Sequence, residues 1–295
     1  MKKAGITTHC RIKILSLLLL TCLLPAGCAD LQAVREFAKT SAATADYRQI
    51  ITDYIESPVR QKRYQPENRA AQLDSIAKKR AGQKKLLEGS QTLLVEYMSA
   101  LGDLAADELP NVDSEIEGLG KALEKAGIAG DGDEVVSKKT ATAAGNIARV
   151  LTRAALDHWR QDRVKTIIRD SDDNVQTVVA GLREIVLKDF NASLDIEAEA
   201  VKMYFEAPIA SAESRNDMDA VPPLARILKL EHLDRIKERR DRLTSYAQVL
   251  DKIGKGHAEL LSNVDRLEDK ALKERLKKYA KDLQTLYKAI NEINS

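Results

Sequence analysis

From Leu272 to Ile293 the chain places Leu272, Leu276, Tyr279, Leu283, Leu286, Ile290 and Ile293 at spacings that alternate between four and three residues. A segment with that period buries one stripe of a helix and leaves the rest in water, so it is stable only against other helices. The same recurrence runs through nearly all of the body. With aromatic residues at 4% and charged residues at 31% of the chain, there is little material for a sheet-based core and much for solvated helix faces. The pattern predicts an all-α fold, an elongated bundle of long antiparallel helices with coiled-coil-like packing.

The breaks in the pattern divide the chain. Leu31, Val34, Ala38, Ser41 and Ala45 open a first helix that continues past Ile51 and Ile55 to Ser57-Pro58, a pair that kinks a helix or starts a new one. Pro66 opens a second of about 40 residues, with Leu73, Ile76, Leu94, Tyr97 and Leu104 on its stripe, ending at Pro110. A third spans Asp113 to Ala126, and glycines 127, 130 and 132 break the pattern beyond it. A fourth carries Val136, Ile147, Leu151, Trp159 and Ile168. The polar cluster Asp170-Ser-Asp-Asp-Asn174 ends it and caps a fifth, which runs through Leu182, Ile185, Phe190, Leu194, Val201 and Tyr204 and stops before Pro208.

Residues 208–222, with Pro208 and Pro222 at their ends, Pro223 directly after and a polar middle, read as a linker or long loop between an N-terminal helical bundle at 28–207 and a C-terminal helical hairpin at 223–295 packed on the same bundle. The hairpin's first helix shows Leu224, Ile227, Leu243, Tyr246, Leu250, Ile253, His257 and Leu260. Its stripe keeps phase across Gly254 and Gly256, so the helix passes through both, and the turn falls near 263–269.

Few residues suggest chemistry. Di-metal bundles use Glu-x-x-His pairs on facing helices, but His158, His232 and His257 are preceded at the third position by Ala155, Lys229 and Gly254. His257 falls on an apolar stripe and reads as a satisfied buried histidine, and Trp159 reads as core. Asp131-Gly-Asp133-Glu134 lacks the later ligands of a calcium loop, and no nucleophile elbow, phosphate-binding loop or dinucleotide fingerprint occurs. These observations predict no enzyme, no cofactor and no bound metal. The small residues of Thr140 to Ala148 suit close helix approach. The six acids and no base between Asp103 and Glu117, like the mixed charge runs elsewhere, read as solvated helix faces.

The N-terminus is different in kind. Lys2, Lys3, Arg11 and Lys13 precede an apolar run of eleven residues, Ile14 to Leu24, about half a membrane-spanning length, and Pro25-Ala-Gly-Cys28 comes next. This arrangement resembles the lipobox of bacterial lipoprotein precursors, with Pro25 where that class prefers Leu and Leu24 one place earlier. The resemblance implies removal of residues 1–27, diacylglyceryl transfer to the Cys28 thiol and acylation of its new amine.

Cys10 and Cys22 go with the leader, so Cys28 has no disulfide partner, and lipidation accounts for an otherwise reactive thiol. Removing the four leader bases from 47 Lys and Arg leaves 43 against 45 Asp and Glu, a balance of −2 that argues against a nucleic-acid partner. Beyond Cys28 no uncharged stretch exceeds nine residues, so attachment would rest on acyl chains inserted into the lipid bilayer.

The resulting expectation is a lipid-anchored protein of the bacterial envelope, facing the periplasm or cell surface. Ala29 stands at the position where Asp signals inner-membrane retention in similar lipoproteins, which favours the outer membrane. The favoured role is a non-enzymatic interaction or scaffold protein with an envelope protein partner. The alternatives are a membrane-acting, pore-forming-like helical protein and a ligand or metal carrier with a pocket near His158, Trp159 and Tyr204.

Overall fold

The computed structural model describes residues 30–108, 110, 114–129, 135–156, 161–215 and 221–292. The leader, Cys28, the 131–134 segment, His158 and Trp159 lie outside them. The described residues are all-helical, with helices packed on one another: α1 (Gln32–Ala45), α2 (Gln49–Lys62), α3 (Ala70–Leu104), α4 (Ser114–Ala129), α5 (Lys138–Leu156), α6 (Gln161–Ile185), α7 (Asn191–Ser214), α8 (Val221–Ser262) and α9 (Lys270–Glu292).

Helix α1 packs on α3 and α9, α8 packs on α6, α7 and α9, and the α4–α5 pair lies against α3. Phe37, Tyr97, Val178, Ile253 and Leu283, from five different helices, belong to one continuous apolar cluster. In α9 the stripe is buried at Leu272, Leu276, Leu283 and Ile290, as its spacing requires. Three helix pairs come closest at a glycine, and at the α5–α6 contact a Cβ on Gly181 would meet Thr140 Oγ1 at 2.1 Å. A Cβ on Gly256 would meet the Phe37 ring at 2.2 Å, and one on Gly120 would meet Ala148 Cβ at 2.4 Å across the α4–α5 contact, where the small residues of 140–148 lie. The acids of 103–117 draw bases from neighbouring positions: Asp103 pairs with Lys39 at 2.5 Å, Glu108 with Arg35 at 3.6 Å and Glu117 with Lys121.

Several boundaries differ from the sequence expectation. The first helix breaks at 46–48 and not at Pro58. The Ala45 carbonyl that would continue α1 accepts hydrogen bonds from Gln91 Nε2 at 2.9 Å and the Tyr246 hydroxyl at 3.0 Å, so side chains of α3 and α8 satisfy the helix end. Pro58 lies inside α2. Having no N–H, it frees the Tyr54 carbonyl one turn back, and Arg80 Nη1 donates to that oxygen at 2.9 Å.

Helix α4 continues through Gly127 to Ala129. Residues 170–174 neither end nor cap a helix, for α6 runs straight through them. Ser171 is fully buried, Asp172 meets His257, and Asn174 accepts from Asn146 Nδ2 at 2.9 Å, so these polar side chains join helices.

Helix α7 passes through Pro208 to Ser214, so helix occupies the first half of the 208–222 segment read as linker. Between α6 and α7 a π-helical turn, Val186–Phe190, absorbs the five-residue step from Ile185 to Phe190 and keeps Leu194 and Val201 buried. Helix α8 is continuous through Gly254 and Gly256, and a short 3-10 turn, Val264–Arg266, separates it from α9. Tyr204, Leu224 and Ile227 do not continue the core stripe. They are 52%, 57% and 62% exposed, while Phe205 and Ala225 face inward.

Candidate functional site

The densest polar cluster forms where α2, α3, α7 and α8 meet. Helical spacing places Asp53, Ser57 and Arg60 on one face of α2, Ser193 and Glu197 on one face of α7, and Arg235, Arg239 and Arg242 along α8. Glu197, 3% exposed, is the hub. Its Oε1 accepts from Arg60 Nε at 3.0 Å and Arg239 Nη1 at 3.2 Å, and its Oε2 accepts from Arg60 Nη2 at 3.1 Å and Ser57 Oγ at 3.4 Å. Arg60 therefore grips the carboxylate with a two-pronged fork, the strongest geometry for such a pair. Ser193 Oγ donates to Ser57 Oγ at 2.8 Å, and Gln61 Nε2 donates to the same oxygen at 2.9 Å.

The remaining cations are less well matched. The Arg80 guanidinium lies 4.2 Å from the Tyr54 ring centroid and also donates to Ser193 Oγ at 2.9 Å. Arg242 approaches Asp53 only to 3.6 Å, and its buried Nε has no hydrogen-bond partner among the described residues. Burial lowers the pKa of Arg80, and burial followed by the nearby Arg60 charge lowers that of Arg239. Arginine nevertheless keeps its proton, so the cluster carries fixed positive charge in excess of Glu197 and Asp53.

Above Glu197 the cluster opens into a small cleft of about 60 Å³, bordered by Arg60, Arg63, Tyr64, His232, Arg235 and Arg239. The Tyr64 hydroxyl lies 3.1 Å from His232 Nδ1, and the Tyr64 ring meets Tyr204 edge-on at 5.7 Å. Phe205 stacks on His232 at 5.8 Å. Tyr204 is thus brought into an aromatic group with His232, a histidine on another helix. An exposed apolar stripe adjoins this end of the α7–α8 pair: Met203 and Tyr204 on α7, and Leu224, Ile227 and Leu230 on α8, each more than half exposed.

A second polar arrangement lies in the core. His257, fully buried, has Nε2 2.6 Å from the Tyr97 hydroxyl and Nδ1 2.6 Å from Asp172 Oδ1. Burial pushes the Tyr97 phenol far above its ordinary range, so it keeps its proton and donates it to His257. The hydrogen bond from His257 holds Asp172 below the usual carboxylate range. Gln176 Nε2 ties the assembly to α8 by donating to Asp172 Oδ1 at 3.1 Å and the Gly254 carbonyl at 3.0 Å. Hydroxyl, imidazole and carboxylate stand in the order of a nucleophilic triad, but both Tyr97 and His257 are fully buried, so a substrate cannot reach them. The chain of bonds instead links α3, α6 and α8.

Among the described residues no group of three or more His, Cys, Asp or Glu side chains converges as a metal site. The sequence singles out His257 but not Glu197 and its arginines, which look like ordinary charge on helix faces. The available signal is their spacing: Ser57 to Arg60, Ser193 to Glu197 and Arg235 to Arg239 each place two polar groups on one helical face. No family model, curated protein or solved structure matches this chain.

Proposed function

We propose that the chain is a bacterial envelope lipoprotein that loses residues 1–27, is acylated at Cys28 and serves as a non-enzymatic interaction protein, presenting a helical surface to another envelope protein. The carrying observation is the exposed stripe of Met203, Tyr204, Leu224, Ile227 and Leu230. Large apolar side chains gathered on one surface mark a place where something docks. Leu224, Ile227 and Leu230 recur every three residues along α8, with α7 packed beside it, which suits a partner helix laid along them. The burial of Tyr97 and His257 supports a role without catalysis.

The proposed shape is an elongated, antiparallel bundle. Helix α8 alone has 42 residues, about 63 Å. Lys252 pairs with Asp282 and Glu259 with Arg275, so positions rise along α8 as they fall along α9. Asp30, two residues after Cys28, pairs with Lys273 at 2.9 Å beside the α8–α9 turn. A lipid on Cys28 would lie near that end, with Ile227 about 50 Å away along α8. The absence, among the described residues, of a helix long and apolar enough to cross a membrane is in keeping with attachment through acyl chains.

Mass spectrometry of the mature N-terminus tests the anchor, with a triacylated or diacylated Cys28 expected. An unmodified Cys28, or a chain cut elsewhere, overturns it. A photocrosslinker at Ile227 is expected to trap a discrete envelope protein that one at the exposed Lys277 does not. Equal labelling from both positions defeats the interaction reading. Dye release from vesicles by the full chain would instead favour a membrane-acting protein.

A further inference from the structure

We infer that the cleft between α2, α7 and α8 binds a phosphate-bearing anion, held by Arg63, Arg235 and Arg239 together with His232 and Tyr64. This inference goes beyond the interaction role and does not rest on it. Glu197 lies at the floor, 3% exposed, with both oxygens committed to Arg60, Arg239 and Ser57. It therefore faces inward, and the mouth above it is lined by guanidinium groups. Arg63 has no ion-pair partner among the described residues, and Arg235 pairs only with Glu231, whose side chain is 49% exposed. Solvated pairs of that kind hold little energy and are readily exchanged for a better anion.

Lower in the cluster the side chains of Arg60 and Arg239 are only 16% and 20% exposed, and Arg242 has its unpartnered buried Nε. Concentrated positive charge with partial desolvation is costly without a counter-anion, and a ligand arriving at the mouth would offset that cost. The donors come from α8 and from the turn that follows α2, and from several directions: guanidinium groups, an imidazole and a phenol. A tetrahedral phosphate can meet them together, whereas the position suited to a planar carboxylate is already filled by Glu197. Tyr204, 52% exposed and packed edge-on against Tyr64, offers a ring face beside these donors for the group esterified to the phosphate.

Calorimetric titration of the full chain with phenyl phosphate and with inorganic phosphate, in chloride buffer, tests the site. Both are expected to bind, phenyl phosphate more tightly. The double variant Arg63→Ala/Arg235→Ala removes two exposed side chains and is expected to weaken both by at least about tenfold while keeping its melting temperature. Tyr204→Ala is expected to erase only the advantage of the phenyl ester. Added phosphate should raise the melting temperature of the unaltered chain and not of the arginine variant.

Co-sedimentation with phosphatidylcholine vesicles containing phosphatidylglycerol separates the sources of the phosphate. Vesicle binding that needs Arg63 and Arg235, without phenyl phosphate binding, assigns a lipid headgroup. Phenyl phosphate binding without vesicle capture assigns a soluble ester. Binding of neither, or binding that the arginine variant retains in full, overturns the site.

Discussion

Glu197 illustrates how one residue holds several helices. It is a carboxylate with 3% exposure, and its cost of burial is met by Arg60, Arg239 and Ser57 from α2 and α8. Removing one member of such a buried set leaves the others charged and unpaired, which outweighs the loss of the contact itself. Glu197→Ala is expected to lower the free energy of unfolding by about 3–5 kcal/mol, measured by urea denaturation.

Asp172 gives a pH signature. His257 holds its pKa below the ordinary range, so the folded state binds a proton there less readily than the unfolded chain. Its contribution is present above the unfolded aspartate value, about 3.9, and disappears as pH falls through the lower folded value. Denaturation between pH 2.5 and 6 is expected to show stability falling below about pH 4, with a shallower fall in Asp172→Asn. His257 was legible in the sequence because it sits on an unbroken apolar stripe. Its partners were not, because Asp172 belongs to a run of Asp and Ser that by composition looks like a helix cap. Tertiary contact decided between the two roles.

At the scale of elements, apolar spacing located α3, α8 and α9 closely, since long uninterrupted stripes leave little choice of phase. Prolines misled, because their effect depends on what accepts the freed carbonyl. Pro58 is tolerated inside α2 because Arg80 reaches the Tyr54 oxygen, a contact 26 positions away in sequence. Conversely α1 ends where nothing in its own sequence demands it, because Gln91 and Tyr246 take the Ala45 carbonyl. The π turn lies between these cases: the five-residue step from Ile185 to Phe190 was visible, and a regular helix could not absorb it. One residue too many for an α-helical turn is housed there as a bulge. Deleting the exposed Leu187 is therefore expected to convert the turn to α-helix and leave the melting temperature within a few degrees. Deleting the exposed Lys237 from α8, which has no such bulge, rotates the rest of that helix by about 100° and is expected to abolish cooperative thermal unfolding.

For the whole molecule the central distinction is between apolar residues that build the core and those left in water. Large residues recurring every three or four positions suggested that Leu224 and Ile227 faced inward. The small Ala225 instead supplies the buried contact, and the large side chains point outward. A periodicity judged by side-chain size alone cannot separate two adjacent apolar faces when the inner one is made of alanine. The difference can be measured. Leu224, Ile227 and Leu230 are each more than half exposed, so their replacement removes little buried area. The triple variant Leu224→Ser/Ile227→Ser/Leu230→Ser is expected to change unfolding free energy by less than about 1 kcal/mol. Leu250→Ala, at a site with no solvent exposure, is expected to cost about 2–5 kcal/mol. If the stripe is the docking surface, the triple variant, with the photocrosslinker moved to the exposed Met203, also loses its crosslinked envelope partner while remaining fully folded, and Leu250→Ala with the same probe retains that partner below its own melting temperature. A triple variant that unfolds would show that these side chains contribute to the fold. One that stays folded and keeps its partner would place the contact on another face.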